Sequence, residues 1–149
     1  MIPELLAPAG AWPQLLAAVR FGADAVYLGG SAFGLRAYAG NFDDEQLPRA
    51  VAYCHGNNVK VYVTLNAFLY DRDLAGATRA AAYAQDVGAD AAIVADPAMV
   101  DIAREAAPRL PIHISTQANV LNARTAAFWY RNGARRIIVA RELSLAQIA

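Results

Sequence analysis

A single cysteine, Cys54, excludes an intramolecular disulfide and any multi-cysteine metal site within these 149 residues. In its Ala52-Tyr53-Cys54-His55 setting, which reads as helix, the expected thiol is buried and inert. Histidine is scarce too, with two copies. No H-x-x-x-H or H-E-x-x-H pair, G-x-S-x-G elbow or Walker loop occurs, so serine or metal peptidase chemistry has no local support. Neither sign of charge is in surplus, because 13 basic side chains balance 13 acidic ones. That balance gives no long-range attraction for nucleic acid or an anionic membrane, so such a partner would need a local patch. No apolar run approaches the roughly 20 residues that span a bilayer. The opening Met1-Ile2-Pro3-Glu4-Leu5-Leu6 lacks the basic stretch of a secretory signal. A soluble, cytoplasmic protein with no membrane partner is expected.

What the chain has in quantity is apolar residue, 57% against 17% charged, which predicts a well-buried core in one domain. It also has a repeat. Gly22-Ala23-Asp24-Ala25-Val26-Tyr27-Leu28 returns as Gly88-Ala89-Asp90-Ala91-Ala92-Ile93-Val94 and as Gly133-Ala134-Arg135-Arg136-Ile137-Ile138-Val139. Each copy follows a helical stretch and precedes a β-rich one. Glycine at a helix end takes the left-handed conformation without strain, and the polar residue two positions on sits in a short helix-to-strand loop.

Reading outward from these joints predicts about six strands, at Glu4–Ala7, Ala25–Leu28, Val59–Asn66, Ala91–Ala95, Ile112–Thr116 and Ile137–Arg141. Helices fall at Trp12–Phe21, Asp43–His55, Asp71–Val87, Ala98–Ala107 and Ala123–Asn132, with another begun at Leu143–Ala149. Acids at Asp43, Asp44 and Glu45 mark a first turn, and Asp96-Pro97 pairs a cap with proline at the first helical position. Strict alternation implies an α/β fold of parallel strands with right-handed crossovers. The alternatives are an open doubly wound sheet and a TIM-type barrel, which needs eight units and roughly 250 residues. The first turn, Ala7-Pro8-Ala9-Gly10-Ala11-Trp12, carries no G-x-G-x-x-G, which favours the barrel. Residues 1–149 are therefore expected to be the N-terminal portion of a (β/α)₈ barrel, one domain cut short after about six of eight strands. Its open sheet edges would invite self-association.

Ligands of parallel βα proteins gather where strands end and helices begin. The candidates there are Asn66 after the third strand, Asp96 after the fourth, Ser115, Thr116 and Gln117 after the fifth with Asn119 beyond, and Arg141 and Glu142 after the sixth. The long loop after the second strand adds Arg36, Tyr38 and Asn41. Period-two parity sets Lys60, Tyr62, Thr64 and Asn66 on one face, and His113, Ser115 and Gln117 on one face of the fifth strand. These polar faces should point into the lumen, and Glu4 joins them on the first strand. Plainer roles compete: His113 as a hydrogen-bonded core histidine, Asp96 as a helix cap, Asn66 as a loop tether, and Arg141-Glu142 as a solvated pair. Gly29-Gly30 reads as turn chemistry and only weakly as a phosphate cradle. Arg131, Arg135 and Arg136 lie at the far end of the sixth strand and read as surface charges.

Several of these segments form an ordered set. Pro3-Glu4-Leu5-Leu6-Ala7-Pro8-Ala9-Gly10 is followed by Gly22–Gly30, Arg36-Ala37-Tyr38-Ala39-Gly40-Asn41-Phe42 and Val61-Tyr62-Val63-Thr64-Leu65-Asn66. His113-Ile114-Ser115-Thr116-Gln117-Ala118-Asn119 and Ala140-Arg141-Glu142-Leu143-Ser144-Leu145 complete it. Together they resemble the collagenase-like peptidase U-32 family over nearly the whole chain. The run from Ser115 to Asn122, with Phe128-Trp129, is most similar to the branch linked to tRNA hydroxylation. The resemblance implies either collagen-degrading peptidase activity of no assigned catalytic type, or oxygen-independent hydroxylation of tRNA or ribosomal RNA bases or of ubiquinone precursors. For the RNA branch it implies prephenate as oxygen source and iron–sulfur clusters on cysteines downstream of the matched segment. Cys54 matches none of those cysteines, so no cofactor is expected in this chain and the isolated segment should be inactive. An anionic small molecule is the expected ligand, with RNA bound through residues beyond this chain. A non-catalytic half-barrel scaffold is the third possibility.

Overall fold

The computed structural model describes residues 2–34 and 41–148; the candidates Arg36 and Tyr38 lie outside the described residues. Six strands, β1 (Leu6–Pro8), β2 (Ala25–Gly29), β3 (Lys60–Leu65), β4 (Ala91–Val94), β5 (Ile112–Ile114) and β6 (Ala134–Ile137), make one sheet. Helices α1 (Trp12–Arg20), α2 (Gln46–Gly56), α3 (Leu74–Asp86), α4 (Pro97–Ala106) and α5 (Ala123–Arg131) connect them, and α6 (Leu145–Ile148) follows β6. All pairings are parallel and the spatial order is the chain order, β1 to β6. This is a TIM-type βα wall, open between its edge strands β1 and β6. Among the described residues no helix is long and apolar enough to cross a membrane.

The repeated phrase is the hinge of each unit. Gly22, Gly88 and Gly133 hold φ of +86°, +84° and +98°. In the first two copies the aspartate two positions on fastens a neighbouring strand or the residue before it. Asp24 Oδ2 accepts the Leu5 N–H at 2.7 Å, and Asp90 Oδ2 accepts that of Val61 at 2.8 Å.

Alternation divides the sheet into two faces. Val26, Leu28, Val61, Val63, Val94, Ile112 and Ile114 pack outward with Leu15, Leu47, Cys54 and Met99 of the helices. A smaller inner cluster holds Ala25, Tyr62, Ala91 and Ile93, flanked by Leu6, Tyr27 and Ile138. The inner face is thus lined in the expected parity.

The first strand runs Leu6–Pro8 rather than Glu4–Ala7, and two further strands differ from the sequence expectation. The sixth runs Ala134–Ile137 rather than Ile137–Arg141, because its ladder follows the short β5, which gives way to a turn at Ser115. Ala134 pairs with Ile112 but Arg136 pairs with His113, so Arg135 is an extra residue in the ladder. Such a bulge re-aims the side chains that follow it, and here Arg136 faces the lumen instead of joining the surface. The fifth strand stops at Ile114, and Thr116–Ala118 forms a 3₁₀ turn whose start is capped by Ser115.

Candidate functional site

At the carboxyl ends of the strands a cavity of about 420 Å³ is lined by Leu6, Tyr27, Thr64, Asn66, Ile93, Ser115, Thr116, Gln117, Ile138 and Arg141. Every strand or its end contributes, since the parallel sheet delivers all six to one rim. Its polar half is prearranged. Asn66 Nδ2 donates to Gln117 Oε1 at 2.6 Å, and Ser115 Oγ donates to the same oxygen at 3.2 Å. The Gln117 backbone N–H returns a bond to Ser115 Oγ at 3.3 Å. With its oxygen doubly engaged, Gln117 keeps its amide N–H groups as donors. The exposed Arg141 adds a guanidinium at the same wall. Among the described residues no carboxylate lines the cavity. A hollow with donors and no acid favours an anionic, oxygen-rich occupant.

Beneath this rim lies a charged floor. Glu4, just before β1, accepts bonds from Tyr62 Oη at 2.8 Å and Lys60 Nζ at 3.2 Å, and from Arg136 Nη1. The Arg136 guanidinium sits 5.3 Å from the Tyr62 ring centroid, and the His113 ring meets Tyr62 edge-on at 4.7 Å. The Arg136 hydrogen bond, helped by Tyr62 and Lys60, holds the Glu4 carboxyl down at about 2 against the cost of burial. Burial, reinforced by Glu4, pushes the Tyr62 hydroxyl up to about 12. Burial, with the Arg136 charge second, takes His113 down to about 4. His113 is therefore neutral at physiological pH, and its buried Nδ1 has no hydrogen-bond partner among the described residues.

The candidates thus separate by level. Asn66, Ser115, Gln117 and Arg141 share the cavity wall, whereas Glu4 and His113 belong to the floor. Asp96 is a cap and a staple: Oδ1 accepts the Ala98 N–H at 2.8 Å and Oδ2 that of Leu69 at 2.9 Å. Asn119 closes the 3₁₀ turn in the left-handed region, φ +52°, with its residue exposed. Asn41, at φ +30°, lines a smaller cleft with Ala9, Gly10 and Gly29 that shares Tyr27 and Thr64 with the cavity. Glu142 is exposed and outside the cavity lining. Cys54 is fully buried, and burial, with Asp90 second, pushes its thiol up to about 11. A thiol so disfavoured as thiolate is a poor metal ligand, and no group of three or more His, Cys, Asp or Glu side chains among the described residues could hold a metal ion. These residues do not fit an iron–sulfur cluster.

Sequence reasoning missed Tyr27 and Arg136 as inward groups. Tyr27 shares parity with Ala25, which was a usable signal. Arg136 depends on the bulge, which local pattern does not announce.

The model of peptidase family U32 matches residues 10–149. The tRNA hydroxylation protein P of Helicobacter pylori (strain ATCC 700392 / 26695) is 45% identical over 143 residues, covering 95% of this chain and 34% of that protein. A collagenase of Porphyromonas gingivalis (strain ATCC BAA-308 / W83) is 36% identical over 146 residues, covering 97% of this chain and 34% of that one. The chain spans about a third of the length of these relatives. The solved structure of the U32 peptidase Mk0906 superposes with a TM-score of 0.71 at 17% identity, covering 93% of this chain and 58% of that one, a likeness of fold.

Proposed function

The chain belongs to peptidase family U32, and on that premise we propose that it supplies the ligand-binding wall of a protein that takes part in oxygen-independent hydroxylation of tRNA bases. The observation that carries this reading is the acid-free cavity, with Gln117 and Arg141 as donors on one wall. The tRNA hydroxylation protein of H. pylori, at 45% identity, supports it. In this reading the cavity takes a polar, anionic small molecule, a dicarboxylate such as prephenate, whose carboxylate Arg141 pairs in fork geometry. Asn66 and Ser115 hold Gln117 in place, so its amide donates without reorganising. An iron–sulfur cluster would supply the redox chemistry of the full-length protein from residues other than these, and RNA is the macromolecular partner.

Titration of the full-length protein with prephenate tests the site. Arg141→Ala should weaken binding about tenfold or more, as loss of a charge-assisted pair predicts. Equal affinities would remove Arg141 and the anion reading together. For the reaction, deletion of the gene should abolish a hydroxylated tRNA nucleoside detected by mass spectrometry.

The collagenase of P. gingivalis, at 36% identity, favours a second reading as a peptidase. Within the described residues no hydrogen bond joins His113 to Ser115, and a buried neutral imidazole is not placed to activate that hydroxyl. Cleavage of denatured collagen that persists through stringent purification and disappears in Ser115→Ala would establish the peptidase instead.

A further inference from the structure

The segment after β3 carries two large rings that neither the core nor the cavity uses. We infer that Phe68 and Tyr70 form a stacking platform for an unpaired base of the RNA substrate, at the edge of the cavity; the inference rests on the tRNA reading above and adds where the strand would lie.

Phe68 is 60% exposed and Tyr70 67% exposed, on either side of Leu69, which packs against the outer core. The backbone beneath them is fastened. Ala67 N–H donates to Phe33 O at 2.9 Å, Leu69 N–H to Asp96 Oδ2 at 2.9 Å, and Tyr70 N–H to Asp73 Oδ2 at 2.9 Å. Asp73 N–H closes the turn onto Tyr70 O at 2.7 Å. The rings are therefore displayed from a held backbone rather than from a slack loop. Leaving two such rings in water forgoes hydrophobic stabilisation that burial would supply.

Two observations favour a nucleobase. The first is position: Asn66, at the end of β3 and two residues before Phe68, lines the cavity. Phe68 and Tyr70 thus follow a lining residue of the cavity within four positions along the chain. The second is the third flat group, the Arg72 guanidinium, which lies 4.8 Å from the Tyr70 ring centroid on a side chain that is 80% exposed. Exposed aromatic faces with an arginine plane are the surfaces on which single-stranded RNA stacks. Asp71 and Asp73 flank Arg72, so the segment offers no surplus of positive charge. Its contribution must come from ring faces, which salt does not screen.

The test is fluorescence anisotropy of a fluorescein-labelled tRNA titrated with the full-length protein at low and high salt. Phe68→Ala and Tyr70→Ala should each weaken binding about fivefold or more, as stacking losses do. The loss should persist at high salt. Phe68→Tyr and Tyr70→Phe should bind like the wild type, and Arg72→Ala should weaken binding with the salt slope unchanged. Wild-type affinity in a folded Phe68→Ala/Tyr70→Ala double variant would overturn the inference. So would an unchanged RNA affinity accompanied by loss of self-association, which would assign the rings to a protein interface. Absence of RNA binding by the wild type would also overturn it. The hydroxylation reading is judged separately, by the nucleosides of the deletion strain.

Discussion

Glu4 and Arg136, 132 positions apart in the chain, meet in a direct carboxylate–guanidinium bond across the floor of the open barrel. One precedes the first edge strand and the other lies on the last, so the pair ties the two free edges together. Glu4 is 21% and Arg136 39% exposed at the side chain, so water screens part of the attraction. Arg136→Met should cost about 1–2 kcal/mol of stability at neutral pH, because it leaves the half-buried carboxylate with weaker partners. The sign with pH follows from the depressed carboxyl. Its contribution is complete above the ordinary value of 4.5 and is lost as pH falls toward about 2. The gap between wild type and Arg136→Met in urea unfolding should therefore narrow over that interval. A constant gap would mean that the pair is not the source.

His113 gives a second pH signature. Its folded value is about 4 against an ordinary 6.5, so the unfolded chain binds the proton first and stability falls between those values on acidification. His113→Phe keeps a ring against Tyr62 and removes the buried nitrogen that lacks a partner. The variant should match or exceed wild-type stability at pH 7 and gain on it as pH drops from 6.5 to 4, read by urea unfolding at each pH. A large loss at pH 7 would instead show that Nδ1 has a partner in solution.

Asp96 satisfies backbone donors in two different segments, at Ala98 and Leu69. Asp96→Ala should cost about 1–2 kcal/mol, the range of a lost helix cap. Hydrogen exchange at both amides should accelerate. Protection retained at Leu69 would remove Asp96 from the support of the loop after β3.

Gly29 is a matter of space. A Cβ there would stand 2.9 Å from Asn41 Oδ1 and 3.3 Å from Thr64 Oγ1, whereas one at Gly30 would meet nothing within 4 Å. Gly29→Ala should destabilise by about 1–3 kcal/mol through overpacking, with Gly30→Ala the mild control. Thermal unfolding of the two variants in parallel makes the comparison. Equal midpoints would show that Asn41 and Thr64 yield without cost.

The Gly-Ala-Asp phrase and the run Val59 to Leu65 were enough to place β2, β3 and β4 close to their observed positions. A left-handed turn and a two-residue period are local properties, written in adjacent side chains. Asn66, Ser115, Gln117 and Arg141 could be named together because parallel strands all end at one rim. Gln117 reaches the cavity differently from its expected route, on a 3₁₀ turn rather than a continued strand. That turn begins at Ser115, whose hydroxyl accepts the Gln117 N–H.

By itself, the order of residues determined the alternation of strands and helices, the two faces of the sheet and the rim where polar groups collect. Tertiary structure alone decided which of those groups share the cavity, that Arg136 turns inward to Glu4, and that His113 stays neutral. The physical reason is range. Period and turn preference act over a few residues, whereas a ladder bulge, an ion pair between the ends of the sheet and the desolvation of an imidazole depend on neighbours from distant parts of the chain.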